Sequence, residues 1–236
     1  MNIHTLTPRK NKPVDTPVRL TPQQALQVAA EMVPRLAERA PESERLRRVH
    51  PDTIAELHSS GLMRLMQPAR FGGSELGLDD LMNVVFVIAR GCSSTAWVYS
   101  NLASHSWNLG QFELQAQEDI WNDDPHALAA TGLAFPCGRA TPVEGGYRLT
   151  GLWPFGSGVD ASTWMLVGAM TERAGGAPER RFFLVPQSDF KSLDNWSSYG
   201  LTGTGSHDVQ IQDAFVPEHR TVSAEVFAAG QNLQGA

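Results

Sequence analysis

The texture of the chain changes once, near Pro125, and that change narrows the folds open to it more than any other feature. Before it, from about Thr21 to His126, apolar residues recur at helical spacing, helix formers dominate, and glycine is sparse outside Gly61 to Gly77. After it, Gly, Thr and β-branched or aromatic residues come in short runs broken by turn signals, the mark of strands and hairpins. The two halves together predict an α+β protein: an N-terminal helical bundle followed by a small β-barrel or sandwich domain.

The local signals set the boundaries. Thr21 can cap a first helix that has Pro22 at its first position and Leu26, Ala29, Ala30 and Val33 on one face. A second helix opens near Pro51 and Asp52, turns Ile54 and Leu57 inward and stops at Gly61. Gln67 to Gly77 is a connecting loop. The next helix, capped near Asp79, is apolar on nearly every side from Leu81 to Ile88, which places it at the centre of the bundle. Further helices begin near Ser93 and cover Gln115 to Trp121. In the second half, Glu144-Gly145-Gly146-Tyr147 is a tight turn joining Arg139–Val143 to Arg148–Leu152. Trp164–Met170, Phe182–Val185 and Val209–Phe215 are further strands, Gly175 to Glu179 is a surface turn, and a helical pattern resumes near Val222. The expected division is a disordered tail over 1–20, a helical domain over 21–127, a β domain over 128–220, and the start of another helical domain over 221–236.

Charge and cysteine content exclude several classes. With 19 Lys plus Arg against 25 Asp plus Glu, a net charge of −6, the chain has no basic track for nucleic acid or an anionic membrane. Cys92 and Cys137 are too few for a disulfide framework and do not stand at metal-ligand spacing with histidines. The first twenty residues hold no apolar signal region, and the longest apolar run, Val84 to Ala89, is far below the ~20 residues that span a bilayer. A cytoplasmic protein is expected, with no metal.

Five stretches in order resemble one family. They are Ser93-Ser94-Thr95-Ala96-Trp97 with His105 downstream, Gly138-Arg139-Ala140, the turn at 144–147, Trp153-Pro154-Phe155-Gly156-Ser157-Gly158, and Gly200 to Gly205 followed by Val209 to Arg220. Together they resemble the flavin-dependent monooxygenase branch of the acyl-CoA dehydrogenase superfamily, the oxygenase components of two-component phenol hydroxylases. The dehydrogenases have a Thr-Glu-Pro-x-x-Gly-Ser-Asp stretch where this chain reads Gly132 to Arg139, and Trp-Ile-Thr-Asn where it reads Trp153 onward, so their acidic and Ser positions are absent. Family members continue into a C-terminal four-helix bundle; this chain stops at Ala236, which reads as a truncation of that bundle.

The resemblance implies a chemistry. Reduced flavin (FMNH2 or FADH2) from a separate flavin reductase would react with O2 to a hydroperoxide, whose distal oxygen passes to a small aromatic, phenolic substrate. That intermediate needs a dry pocket and a hydrogen bond at flavin N5. Ser157 is the implied partner of N5, against a strand-end turn as its plain structural reading. His105, eight residues after Trp97, would act on the phenol with Trp97 as substrate wall, against a helix histidine lying over a core tryptophan. Phe135, Pro136, Trp153 and Phe155 would wall the flavin ring, though core packing explains them equally well. Gly203 to His207 could offer N–H groups to a flavin phosphate, or form a hairpin turn. A homo-oligomer is implied, a tetramer in the family. Two other readings stay open: an acyl-CoA dehydrogenase-type oxidoreductase acting on a thioester, and a catalytically silent fragment or binding subunit.

Overall fold

The computed structural model of the chain describes residues 18–172 and 176–230. The expected disordered tail lies outside those residues except at its end, and there the chain is held. Leu20 is buried and its N–H donates to Ser74 Oγ at 2.9 Å, while Arg19 donates to the carbonyl of Ala69.

Helix α1 (Pro22–Leu46) starts on a reciprocal cap: Gln24 N–H donates to Thr21 Oγ1, and Thr21 N–H donates to Gln24 Oε1. Its buried face is Ala25, Ala29, Met32 and Leu36, so of the expected Leu26, Ala29, Ala30 and Val33 only Ala29 is fully inside. Helix α2 (Pro51–Ser59) is followed by Gly61 at φ 85°, where a Cβ would lie 2.8 Å from the carbonyl oxygen of Val18. Helix α3 (Leu78–Ala89) corrects the sequence reading. It lies on the outside of the bundle, with Leu81, Val84 and Ile88 buried and Phe86 66% exposed. Val85 and Val87 are partly buried against the core, and Leu78 and Phe86 lie on the exposed side, because α1 and the next helix cover one side only. Helices α4 (Ser93–Leu109) and α5 (Leu114–Trp121) complete the half.

The strands are β1 (Ala129–Gly132), β2 (Gly138–Val143), β3 (Gly146–Gly156), β4 (Trp164–Thr171), β5 (Glu179–Pro186), β6 (Phe190–Leu193), β7 (His207–Pro217) and β8 (Thr221–Ser223). They form one sheet in the order β6-β7-β3-β2-β4-β5-β8, with β1 parallel to the first part of β4. The expected β2–β3 hairpin is present, Val143 facing Gly146 across Gly145 at φ 77°. The sheet folds over itself: Trp153 Nε1–H in β3 donates to the carbonyl of Gly168 in β4 at 2.8 Å, and the rings of Tyr147 and Phe183 meet at 5.4 Å. Trp153 is fully buried, and Gly132, Gly138 and Gly151 surround it so closely that a Cβ on any of them would come within 2.6 Å of its side chain.

Where the helical pattern resumes, the chain first makes β8 and then the short α6 (Ala224–Ala229), capped by Ser223 and closed by Gly230 at φ 61°. Phe227 of α6 packs on Phe182, so this helix covers the β5 side of the sheet. The expected turn at Gly175 to Glu179 lies partly outside the described residues. Among the described residues no helix is long and apolar enough to cross a membrane.

Candidate functional site

The end of β3 is built to present a hydroxyl. After the buried Trp153 the pairing with β7 slips, and Phe155 takes a left-handed conformation at φ 63° that a bulky residue seldom adopts. The slip throws the Phe155 ring outward, 67% exposed, with its edge against Trp196. Ser157 follows in a tight turn, its N–H donating to the Phe155 carbonyl at 2.8 Å. Gly158 at φ 76° lets the backbone approach α4, for a Cβ there would lie 3.0 to 3.1 Å from Val98 and Leu102. That approach brings Ser157 to Trp97, whose Nε1–H donates to Ser157 Oγ at 3.1 Å. Trp97 is half exposed.

A second loop meets them from the sheet side. Leu201 and Gly205 are both left-handed (φ 55° and 54°) around a single turn at Thr202–Thr204. Ser206 Oγ is 2.8 Å from Ser157 Oγ and 2.7 Å from Thr204 Oγ1. Glu44, near the end of α1, holds this loop. Its carboxylate accepts from Ser94 Oγ at 2.8 Å and from the Thr202 and Gly203 N–H groups, and these donors help draw its pKa below the usual carboxylate range despite partial burial. Gly203 to His207 closes the connection of the antiparallel β6–β7 pair, as the hairpin reading expects, and the Gly203 N–H is turned to Glu44.

Below the loop, His207 is 1% exposed. Its Nδ1 accepts the Trp196 N–H at 3.1 Å, so the neutral ring carries its proton on Nε2, which faces Asp160 at 3.6 Å and Asp194 at 3.8 Å. Burial pushes His207 down and Asp160 up, against the pull of the His207–Asp160 attraction, so both lean toward their uncharged forms. Arg47 and Arg48 close the group, pairing with Asp194 and Asp160.

The sequence-predicted residues therefore separate. Trp97, Phe155 and Ser157 come together on one open ledge at the helix–sheet junction. Trp153 lies in the core, a packing residue. Phe135 and the exposed Pro136 belong to a different aromatic row, where Phe135 stacks on Phe182 at 4.9 Å under the guanidinium of Arg180. His105 does not share a side with Trp97: it is 6% exposed beneath α4, with Nδ1 2.8 Å from the carbonyl of Ala129 and Nε2 3.4 Å from Thr131 Oγ1. Burial pushes its pKa down to about 4, and it joins α4 to β1 as a neutral ring. Ser206, Thr204 and Glu44 had no signal of their own in the sequence; the Gly203-x-Gly205 spacing marked the loop but not its partner. A groove of about 630 Å³, lined by Arg148, Asp189, Lys191 and Phe215 among others, is elsewhere. A strand advances ~3.3 Å per residue, so Arg148 lies roughly 20 Å along β3 from Pro154, close to where the strand ends before Ser157.

A helical half packed on a folded-over sheet thus carries a hydroxyl and two exposed aromatic side chains near the joint. The chain carries an acyl-CoA dehydrogenase N-terminal domain, and its relatives are named as oxygenase components of flavin-dependent monooxygenases. Residues 21–119 match the acyl-CoA dehydrogenase N-terminal domain. The flavin-dependent monooxygenase oxygenase subunit HsaA of Rhodococcus jostii is 39% identical over 202 residues, 86% of this chain and 52% of that protein. The oxygenase component of the FADH2-dependent resorcinol hydroxylase of a Rhizobium strain is 36% identical over 197 residues, 83% of this chain and 48% of that protein. The crystal structure of 3-HSA hydroxylase from Rhodococcus sp. RHA1 superposes with a TM-score of 0.85 at 36% identity, covering 89% of this chain and 55% of that one. The chain spans about half the length of the relatives it matches.

Proposed function

We propose that this chain forms part of the oxygenase component of a two-component flavin-dependent monooxygenase that hydroxylates a small phenolic aromatic. The observation that carries the reading is the ledge itself: the Ser157 hydroxyl held between Trp97 and Ser206, with Phe155 open beside it. A flat heteroaromatic ring with a polar edge fits that donor set, for its faces meet exposed aromatic side chains and its edge meets a hydroxyl. Reduced flavin bound there would supply the electrons that activate O2. Ser157 would hold the polar ring edge, Trp97 would fix the Ser157 oxygen, and Phe155 with Trp97 would keep water from the reacting side.

The relatives' names give FADH2, resorcinol and p-hydroxyphenylacetate and call each protein an oxygenase component, and a separate flavin reductase is the partner that goes with this reading. A cytoplasmic homo-oligomer is the assembly that goes with this reading. The test is anaerobic titration of the purified protein with reduced FMN and reduced FAD, followed by O2 and a phenol panel, with hydroxylated product and H2O2 measured separately. Tight reduced-flavin binding, coupled product and no NADH oxidation by the chain alone are expected. Tightly bound oxidised flavin that NADH reduces directly would end the two-component reading.

A further inference from the structure

Three hydroxyls stand in line at the junction, and one order of their protons satisfies all of them. Thr204 is 2% exposed, and the partner of its hydroxyl among the described residues is Ser206 Oγ, 2.7 Å away. Ser206 is 5% exposed and 2.8 Å from Ser157 Oγ. The Trp97 indole N–H, which can only donate, occupies one lone pair of Ser157. If protons ran inward, from Ser157 to Ser206 to Thr204, the Thr204 proton would have no acceptor where water does not reach, and a buried unmade donor carries its whole desolvation cost. If they run outward, Thr204 donates to Ser206, Ser206 donates to Ser157, and every buried proton is used.

We infer that Thr204 and Ser206 are positioning residues that make Ser157 an obligate hydrogen-bond donor. Its lone pairs are filled by Trp97 and Ser206, and its own O–H is the proton left over, on the half-buried outward side. The ledge therefore takes a ligand through an acceptor atom, a ring carbonyl or imine-type nitrogen, and rejects an N–H at that point. This rests on the flavin reading for the ligand's identity alone: the acceptor is then the flavin C4 carbonyl oxygen, because N5 of reduced flavin carries a hydrogen and donates.

The indole N–H resonance of Trp97 in the ligand-free protein, assigned by its loss in Trp97→Phe, reports the order. With Ser157 shared between two donors, Ser206→Ala removes the competitor, strengthens the Trp97 bond and moves the indole proton downfield. Ser206→Thr keeps the hydroxyl and restores the position. With the opposite order, Ser206→Ala removes the acceptor that polarises Ser157, and the resonance moves upfield. An upfield shift, or none, overturns the proposal. In a Ser157→Ala background Ser206→Ala should add nothing, whereas a mere packing role would move the resonance in both backgrounds. For the unaltered chain, neutron diffraction from deuterated crystals locates the hydroxyls directly. Deuterons donated from Thr204 and Ser206 are expected, and a Ser157 deuteron on the line to Ser206 overturns the assignment. None of these measurements needs flavin, so a chain that binds none refutes the proposed function and leaves the proton order to its own result.

Discussion

At the scale of single residues, Ser157 and His105 show how far residue type and spacing carry. Both were candidate groups, and both make side-chain hydrogen bonds, but their surroundings assign them different work. Ser157 is half buried at an open edge. Under the proposed function, Ser157→Ala removes the hydrogen bond made to the bound ring, about 1–3 kcal/mol once that ring covers it, so the ratio of hydroxylated product to H2O2 should fall roughly 5- to 150-fold with the fold intact. An unchanged ratio would take Ser157 out of the site. His105 is enclosed, its pKa depressed to about 4 from the ordinary 6.5 chiefly by burial. The folded chain thus binds fewer protons than the unfolded one between those values, and stability falls as pH drops through that window, by on the order of 3 kcal/mol in full. His105→Asn keeps a donor for the Ala129 carbonyl and should flatten that part of the curve. Urea midpoints at pH 7, 5.5 and 4.5 test it, and equal slopes for both proteins would refute it. Spacing placed Trp97 and His105 on one helix; burial, which spacing does not report, put them on different sides.

Elements were legible where a local cap or turn defines them. The Thr21 cap, the Gly145 hairpin and the stop at Gly61 act through neighbours in sequence, so the sequence displays them. Strands β1, β6 and β8 are four, four and three residues long and are strands because of distant partners, β4, β7 and β5, so no local pattern announces them. The loop at 201–206 is the same case: its shape depends on Glu44, more than 150 residues earlier. Glu44→Ala should leave the Thr202 and Gly203 N–H groups without their acceptor, at about 1 kcal/mol of local stability or a roughly five-fold faster amide exchange. Because its donors lower the Glu44 pKa, the hold is complete above the usual carboxylate range and is lost as pH falls through the lowered value. Exchange at Thr202 and Gly203 that is the same in both proteins would show that another contact holds the loop.

At the scale of the molecule, the order of helices then strands was plain in the sequence, yet the two halves are not independently packed. One buried cluster runs from Leu36 and Leu102 into Trp153 and Val209, and the other joins Phe112 and Trp121 to Trp164 and Leu184. Both cores cross the junction that the change of texture marks, which composition could not reveal because each half carries only part of each cluster. The ledge stands on that same junction: Trp97 comes from α4, Ser157 from the end of β3 and Ser206 from the loop before β7. A ligand gripping Trp97 and Ser157 adds to the coupling between the halves rather than to either one. Reduced flavin at 100 times its dissociation constant stabilises the folded state by about 2.7 kcal/mol. For a domain of this size each kcal/mol is worth roughly 2–4 °C, so the anaerobic melting temperature should rise by about 5–10 °C in a single transition. Amide protection should increase on α4 around Trp97 and on 203–207 together. Protection confined to one side of the junction, or a melting temperature that does not respond, would place the flavin somewhere other than the ledge.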